Sequence, residues 1–256
     1  MATWRRIRAG SGHRYIDDAG EPVDGVTRII GDGIPKRALI DAAARETASF
    51  TLDHWDELAE KGPADRLRAM ERGRFERWNR STVRGTQVHA FAAQLAAGAE
   101  VEVPDEIIGH VDAYLAFIEQ WRVAEVAVEC MIVNRQWRYA GTIDLLATLG
   151  DAQLWLLDWK TGASGIWPET ALQLSAYARA DSIIIDDVER DMPKIDRAAA
   201  VWLKSDGYEV IPVDIGDLTF RTFLYAQQVA RFCAQPREAT VLDALAAPMF
   251  DEEAAS

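Results

Sequence analysis

Two aspartates and a lysine stand inside apolar runs that flank a turn. The runs are Ile143-Asp144-Leu145-Leu146 and Trp155-Leu156-Leu157-Asp158-Trp159-Lys160, with Gly150-Asp151 between them. If they pair as antiparallel strands about Asp151, Asp144 lies directly opposite Asp158. Alternation then puts Lys160 on the Asp158 face, two residues further along. Opposed carboxylates repel and destabilise a sheet, and a buried charge without a partner is costly. A positive partner is required. Lys160 supplies one charge, and a hard divalent cation with oxygen ligands would supply the rest. The three residues alone fit equally well a salt-bridged cluster in which Lys160 and an arginine neutralise both acids.

Other residues belong to the same neighbourhood. His89 stands beside an apolar helical stripe and reads either as an imidazole ligand at the sheet edge or as a satisfied core histidine. Simple alternation places Glu129 on a face with Glu125, Ala127 and Met131, opposite Val126, Val128 and Ile132, within reach of the carboxylates or exposed to water. Gln173 and Tyr177 are spaced i,i+4 and share a helix face, where they bind a phosphate, orient Lys160 or simply pack. Between Arg66 and Arg84, seven arginines stand against two acids, a local charge of +5. Such a run reads as a solvated helix or, given its position just before His89, as a surface for nucleic acid.

The elements that position these residues follow from periodicity. A short sheet is expected at Tyr15-Ile16 and Gly25–Ile30 around a turn at Asp18-Ala19-Gly20, and Pro35 opens a helical run. Residues 51–82 read as helical, and a helix over 85–98 carries Val88, Phe91, Ala92 and Leu95 until Gly98 stops it. A further helix starts at Pro104 with a stripe of Ile107, Val111, Leu115 and Ile118. Strands then follow at about 124–133, 137–148 and 153–159, a helix over 168–180, a strand at 198–203 turning at Ser205-Asp206-Gly207 into a hairpin that ends near Val213, and a helix over 217–234. The expectation is an α/β domain with a mixed central sheet flanked by helices and a helical N-terminal elaboration. Its divisions are 1–82 for the elaboration, 83–235 for the core and 236–256 for a partly mobile tail.

Composition narrows the class. Hydrophobic residues make up 49% and charged residues 27% of 256, enough for a core without staples. The net charge of −13 excludes general coating of nucleic acid, so any contact with it is local. Cys130 and Cys233 are too few for a four-cysteine cluster. Apolar runs are strand-sized and the start lacks a secretory segment, so the expected location is the cytoplasm, without a membrane. Gly31-Asp32-Gly33 lacks the glycine-lysine of a phosphate loop, so no nucleotide is expected.

Four fragments in order, Gly85-Thr86-Gln87-Val88-His89, Gly141-Thr142-Ile143-Asp144, Asp158-Trp159-Lys160-Thr161-Gly162 and Gln173 to Tyr177, resemble the RecB-like branch of the PD-(D/E)XK nucleases over about residues 83–204. The opening, with Gly25–Ile30 and Pro35-Lys36, is similar to the leader of RecB-like exonucleases of actinobacterial phages. The resemblance implies a restriction-endonuclease-like core in which Asp144 and Asp158 ligate Mg²⁺ or Mn²⁺, as one or two ions, with His89 and the Trp159 carbonyl as further ligands. Lys160 would orient or deprotonate the attacking water, and Gln173 and Tyr177 would hold the DNA backbone or Lys160. Glu129 is carried as a further site candidate, and Arg74, Arg77, Arg80, Arg84 and Thr161 as DNA contacts. Unlike cluster-bearing relatives, this chain lacks the cysteines for iron–sulfur.

The leading expectation is a metal-dependent exonuclease acting on DNA ends, single- or double-stranded, in phage or bacterial recombination or repair. A single-strand annealing protein or a helicase would be its partner, and it would work in the host cytoplasm if phage-encoded, as monomer or oligomer. The alternatives are a DNA- or partner-binding protein on a nuclease scaffold that no longer cuts, and a hydrolase of another phosphoester.

Overall fold

A computed structural model describes residues 4–9, 12–96, 99 and 102–245, with the side chains of residues 37, 74, 76–82, 84 and 96 outside that description. Three short strands, β1 (Arg5–Ala9), β2 (Gly12–Ile16) and β3 (Pro22–Gly25), lead into α1 (Val26–Gly33), α2 (Arg37–Asp53), α3 (Trp55–Ala59) and the long α4 (Pro63–Ala96). After a 3-10 turn at Asp105–Ile107 come α5 (Ile108–Gln120), β4 (Ala124–Asn134), β5 (Tyr139–Thr148), β6 (Leu154–Lys160) and α6 (Glu169–Ala178). Two hairpins, β7 (Ser182–Ile185) with β8 (Val188–Asp191) and β9 (Arg197–Lys204) with β10 (Gly207–Pro212), precede α7 (Asp217–Cys233).

The strands form one mixed sheet, and β5 is its hub. β4 runs antiparallel along one edge of β5. The other edge is divided: β3 pairs parallel at Tyr139 and Ala140, and β6 pairs antiparallel from Leu145 to Thr148. Between these neighbours, residues 141–144 have no strand partner on that edge. β6 continues past the fork alongside β9, in parallel register from Trp155 to Lys160.

Helices cover both faces, which is why the central strands are nearly continuous apolar runs. On one face α1, α6 and α7 pack Ile29, Ile30, Leu174 and Phe223 against Ile132, Tyr139, Ile143 and Leu156. On the other, α4 and α5 pack Val88, Val111, Tyr114 and Phe117 against Leu145, Leu157, Trp159 and Val201. Each fully buried Leu or Ile contributes about 1.5–3 kcal/mol relative to exposure. A third small core joins Trp4, Tyr15 and Val23 of the first strands to Met131, Val133 and Ala140.

Several expectations need correction. Of Gly25–Ile30 only Gly25 is strand, as the end of β3: Val26, Ile29, Ile30 and Gly33 are buried at i, i+3, i+4 and i+7, the helical period, and form α1. Gly33 is where α1 crosses α7, since a Cβ there would lie 2.1 Å from the Ala226 carbonyl oxygen. The helix over 85–98 is the end of the single helix α4, which runs unbroken through residue 82. Gly98, expected to stop it, and the tail from 246 onward lie outside the described residues. On α5, Leu115 is exposed, and Val111, Tyr114 and Phe117 form the buried stripe that Ile107 of the preceding 3-10 turn begins. Between the helix and strand expected over 168–180 and 198–203 lies the further β7–β8 hairpin. Its two-residue turn, Asp186-Asp187, has φ of 50° and 59°, the left-handed geometry that two-residue hairpin loops favour.

Candidate metal centre

The fork between β5 and β6 creates the site. Ladder pairing stops at Leu145 and Leu157, so the next residue pair, Asp144 with Asp158, falls where the strands part. Asp144 fills the lost ladder bond with its side chain: Oδ2 accepts from the Trp159 N–H at 2.8 Å. Its other oxygen, Oδ1, lies 3.4 Å from His89 Nδ1.

The partner of Asp144 across β4 is Glu129, and here both strands are irregular. Glu129 has φ of 51°, a left-handed conformation uncommon outside glycine. The ladder runs from Val128–Leu145 to Cys130–Ile143 and skips the pair between them. Alternation breaks at the same level. Ile143 packs against the α1, α6 and α7 layer, whereas Leu145, two residues later, packs against α4 and α5. The kink delivers Glu129 to the histidine, with Oε1 3.8 Å from His89 Nδ1. The face assigned to it by plain alternation is thus replaced by a local one. His89, Glu129 and Asp144 present ligand atoms that all lie within 4.8 Å of one another.

The orientation of His89 is fixed from behind. A carbonyl only accepts, so Nε2 donates to the Trp159 oxygen at 3.2 Å and leaves Nδ1 facing the carboxylates. Burial works against a charged ring, but the Asp144 carboxylate, then Glu129 and Asp158, carry its pKa up to about 10. The imidazolium therefore supplies positive charge where a cation would otherwise stand. The Trp159 indole packs edge-to-face on Tyr114 and Phe117, at ring centroid separations of 5.3 and 5.7 Å, so the backbone that meets Asp144 and His89 is firmly held.

On the α6 side lies a second group. Asp158 is almost fully buried, and its Oδ1 accepts from Gln173 Nε2 at 2.9 Å. Lys160 Nζ is 2.5 Å from Oδ2, yet that oxygen accepts no well-directed hydrogen bond. Burial pushes the Asp158 carboxyl up, and the Lys160 ammonium opposes it. Burial likewise disfavours the ammonium, but Asp158 and then Asp144 hold it charged, above the ordinary lysine value. Gln173 joins the group together, since its Nε2 also lies 3.2 Å from the Tyr177 hydroxyl and its Oε1 accepts from Lys160 at 3.5 Å. Tyr177 needs Gly141: a Cβ there would stand 2.4 Å from the ring. Gly141→Ala is accordingly expected to displace Tyr177 and Gln173, costing about 1–3 kcal/mol by overpacking. Thermal unfolding would register that loss, while Mn²⁺ binding measured by calorimetry stays intact.

The structure thus places His89, Asp144 and the Trp159 carbonyl together, adds Glu129, and gives Asp158 to Lys160 and Gln173. Thr161 follows directly and lies against α4, where a Cβ on Gly85 would be 3.3 Å from its hydroxyl. Arg74, Arg77, Arg80 and Arg84 belong to α4, but their side chains lie outside the described residues. Sequence reasoning missed the N-terminal strands as part of this neighbourhood. Tyr15 and Arg6 both reach Thr142 Oγ1, at 2.9 and 3.1 Å. The signal was the run of basic residues at positions 5–14.

Fold and site together define a class: an α/β protein with an imidazole, three carboxylates and an ammonium gathered at a strand fork, a donor set suited to a hard divalent ion facing an anionic substrate. The family comparison makes this specific. Residues 36–182 match the PD-(D/E)XK nuclease superfamily, and the chain belongs to that superfamily. No curated protein gives a significant match. Among solved structures, one titled "Crystal structure of SSO0001" is similar at 12% identity, covering 60% of this chain and 70% of that one, with a TM-score of 0.31. Among the described residues no helix is long and apolar enough to cross a membrane.

Proposed function

We propose that this chain is a divalent-metal-dependent deoxyribonuclease of the RecB-like branch that degrades DNA from its ends. The observation that carries the reading is the convergence of His89, Glu129 and Asp144 within 4.8 Å of one another, beside the buried Asp158–Lys160 pair. Oxygen and imidazole donors suit Mg²⁺ or Mn²⁺. His89, Asp144 and Glu129 would hold the ion, with Asp158 and the Trp159 carbonyl as the neighbouring donors. When bound, it supplies positive charge for a phosphodiester oxygen and lowers the pKa of a water.

The protein's own groups do the remainder. Lys160, kept charged by Asp158, orients the attacking water and helps neutralise charge developing on the phosphate. Gln173, bonded to Asp158, Tyr177 and Lys160, fixes that ammonium in place. Arg74, Arg77, Arg80, Arg84 and Thr161 contact the DNA backbone, a local basic surface in a chain with net charge −13. The core runs from about 83 to 235, and the proposed setting is phage or bacterial recombination or repair, in the cytoplasm, beside an annealing protein or helicase.

Linear and covalently closed duplex DNA, incubated separately with the protein and Mn²⁺, test this. Linear DNA should disappear and closed circles persist, with EDTA stopping the reaction. Equal cleavage of both would remove the end requirement, and no cleavage of either would favour a binding protein on a nuclease scaffold.

A further inference from the structure

Residues 4–16 contain Arg5, Arg6, Arg8 and Arg14, with His13, and no acid, in a protein of net charge −13. Several arginines elsewhere are matched: Arg135 pairs with Glu189, Arg138 with Asp17, Arg179 with Asp217 and Arg231 with Asp24, while Arg45, Arg122 and Arg221, which have no ion pair among the described residues, stand singly on α2, after α5 and on α7. Among the described residues, none of the four arginines on β1 and β2 has a carboxylate within ion-pair distance. With 41 aspartates and glutamates in the chain, four unmatched guanidinium groups on one ribbon call for a ligand.

The ribbon is built into the site. Arg6 lies opposite Tyr15 and Arg8 opposite His13, so these four share one face. Trp4 and Tyr15 anchor the ribbon on Met131, Val133 and Ala140 of β4 and β5. Arg6 donates to Thr142, two residues before Asp144, a spacing of about 7 Å along a strand. His13 continues the polar chain through the Tyr15 hydroxyl at 2.9 Å. Between ribbon and sheet runs a cleft of about 750 Å³ whose lining includes Arg5, Arg6 and Glu129. Asp186 and Asp187 of the β7–β8 turn also line the cleft, and their charge disfavours an anionic strand near them.

We propose that the β1–β2 ribbon is a nucleic-acid phosphate clamp, in which Arg6 and Arg8 hold backbone phosphates of the substrate strand next to the one at the metal centre. The inference rests on the nuclease reading above. The planar guanidinium fork matches a phosphate bidentately, and Arg6 keeps donors beyond the one given to Thr142. The clamp stands on elements separate from the arginine-rich helix α4.

The test is Arg6→Gln with Arg8→Gln, assayed by fluorescence anisotropy on a labelled oligonucleotide in EDTA across a salt series. Affinity should fall at least about tenfold, and the slope of log K against log salt should shrink by about 1.4–1.8 for two lost phosphate contacts. Mn²⁺ binding without DNA and the unfolding midpoint should not move, and lysine at both positions should restore the slope. Wild-type affinity and slope in the glutamine variant overturn the clamp alone. Altered Mn²⁺ affinity with unaltered DNA affinity also overturns it, because the arginines then serve as counter-charges to the carboxylates. A native protein that binds no DNA overturns the clamp and the nuclease reading together.

Discussion

Asp144→Asn is expected to abolish Mn²⁺ binding and to lower DNA cleavage at least about 10³-fold, while leaving the protein folded. The amide is isosteric and keeps an oxygen for the Trp159 N–H, so the strand fork retains its bond. It removes the charge that faces His89 Nδ1, 3.4 Å away, and replaces a ligand oxygen by an amide. Glu129→Gln should do less, because its oxygen stands 3.8 Å from the same nitrogen and the side chain is a third exposed, at 34%. Calorimetry with Mn²⁺ and a cleavage assay on the same preparations decide the matter. An undiminished Mn²⁺ heat in Asp144→Asn would place the ion elsewhere and remove the metal centre described here.

The hub of the fold was legible because two apolar runs around Gly150-Asp151 admit few registers. Leu145–Leu157 and Leu146–Leu156 pair in the register that turn implies. Periodicity could not show that the pairing ends one step later, where β6 goes on beside β9 alone. Nor could it place Glu129, because alternation presumes a regular strand and a left-handed glutamate leaves no mark in composition. The misread segment Gly25–Ile30 shows a different limit. Val26, Ile29 and Ile30 are β-branched, which suggests a strand, but burial against α7 at helical spacing outweighs that preference. The β7–β8 hairpin carried its signal in Ser182-Ile183-Ile184-Ile185 before Asp186-Asp187, yet an aspartate pair is a weaker turn marker than one with glycine. Tertiary contacts gather what sequence leaves dispersed: Arg6, Tyr15 and Thr142 meet across more than a hundred residues only because β3 docks on β5.

Lys160→Met separates chemistry from electrostatic support. Turnover should fall about 10²–10³-fold, with Mn²⁺ heat retained, because the ammonium and not the ion has been removed. The variant also leaves the Asp158 carboxylate buried without its counter-charge. Breaking a buried pair costs about 3–5 kcal/mol, and the 32% exposure of the lysine side chain reduces this to about 1–3 kcal/mol. A second change, Asp158→Asn, removes the orphaned charge while keeping an acceptor for Gln173, so the double variant should be more stable than Lys160→Met alone. The pH dependence has a definite sign. Burial already raises the Asp158 carboxyl, and without the ammonium only the smaller pull of the His89 imidazolium opposes that rise. The folded state of Lys160→Met then binds a proton more tightly than the unfolded chain, so its stability declines as pH increases from the ordinary carboxylate range upward. Asp158→Asn should erase that decline. Urea unfolding of the single and double variants at pH 5 and pH 8 measures both effects. Equal stability of Lys160→Met at the two values would mean that Asp158 is not the buried partner on which the lysine acts.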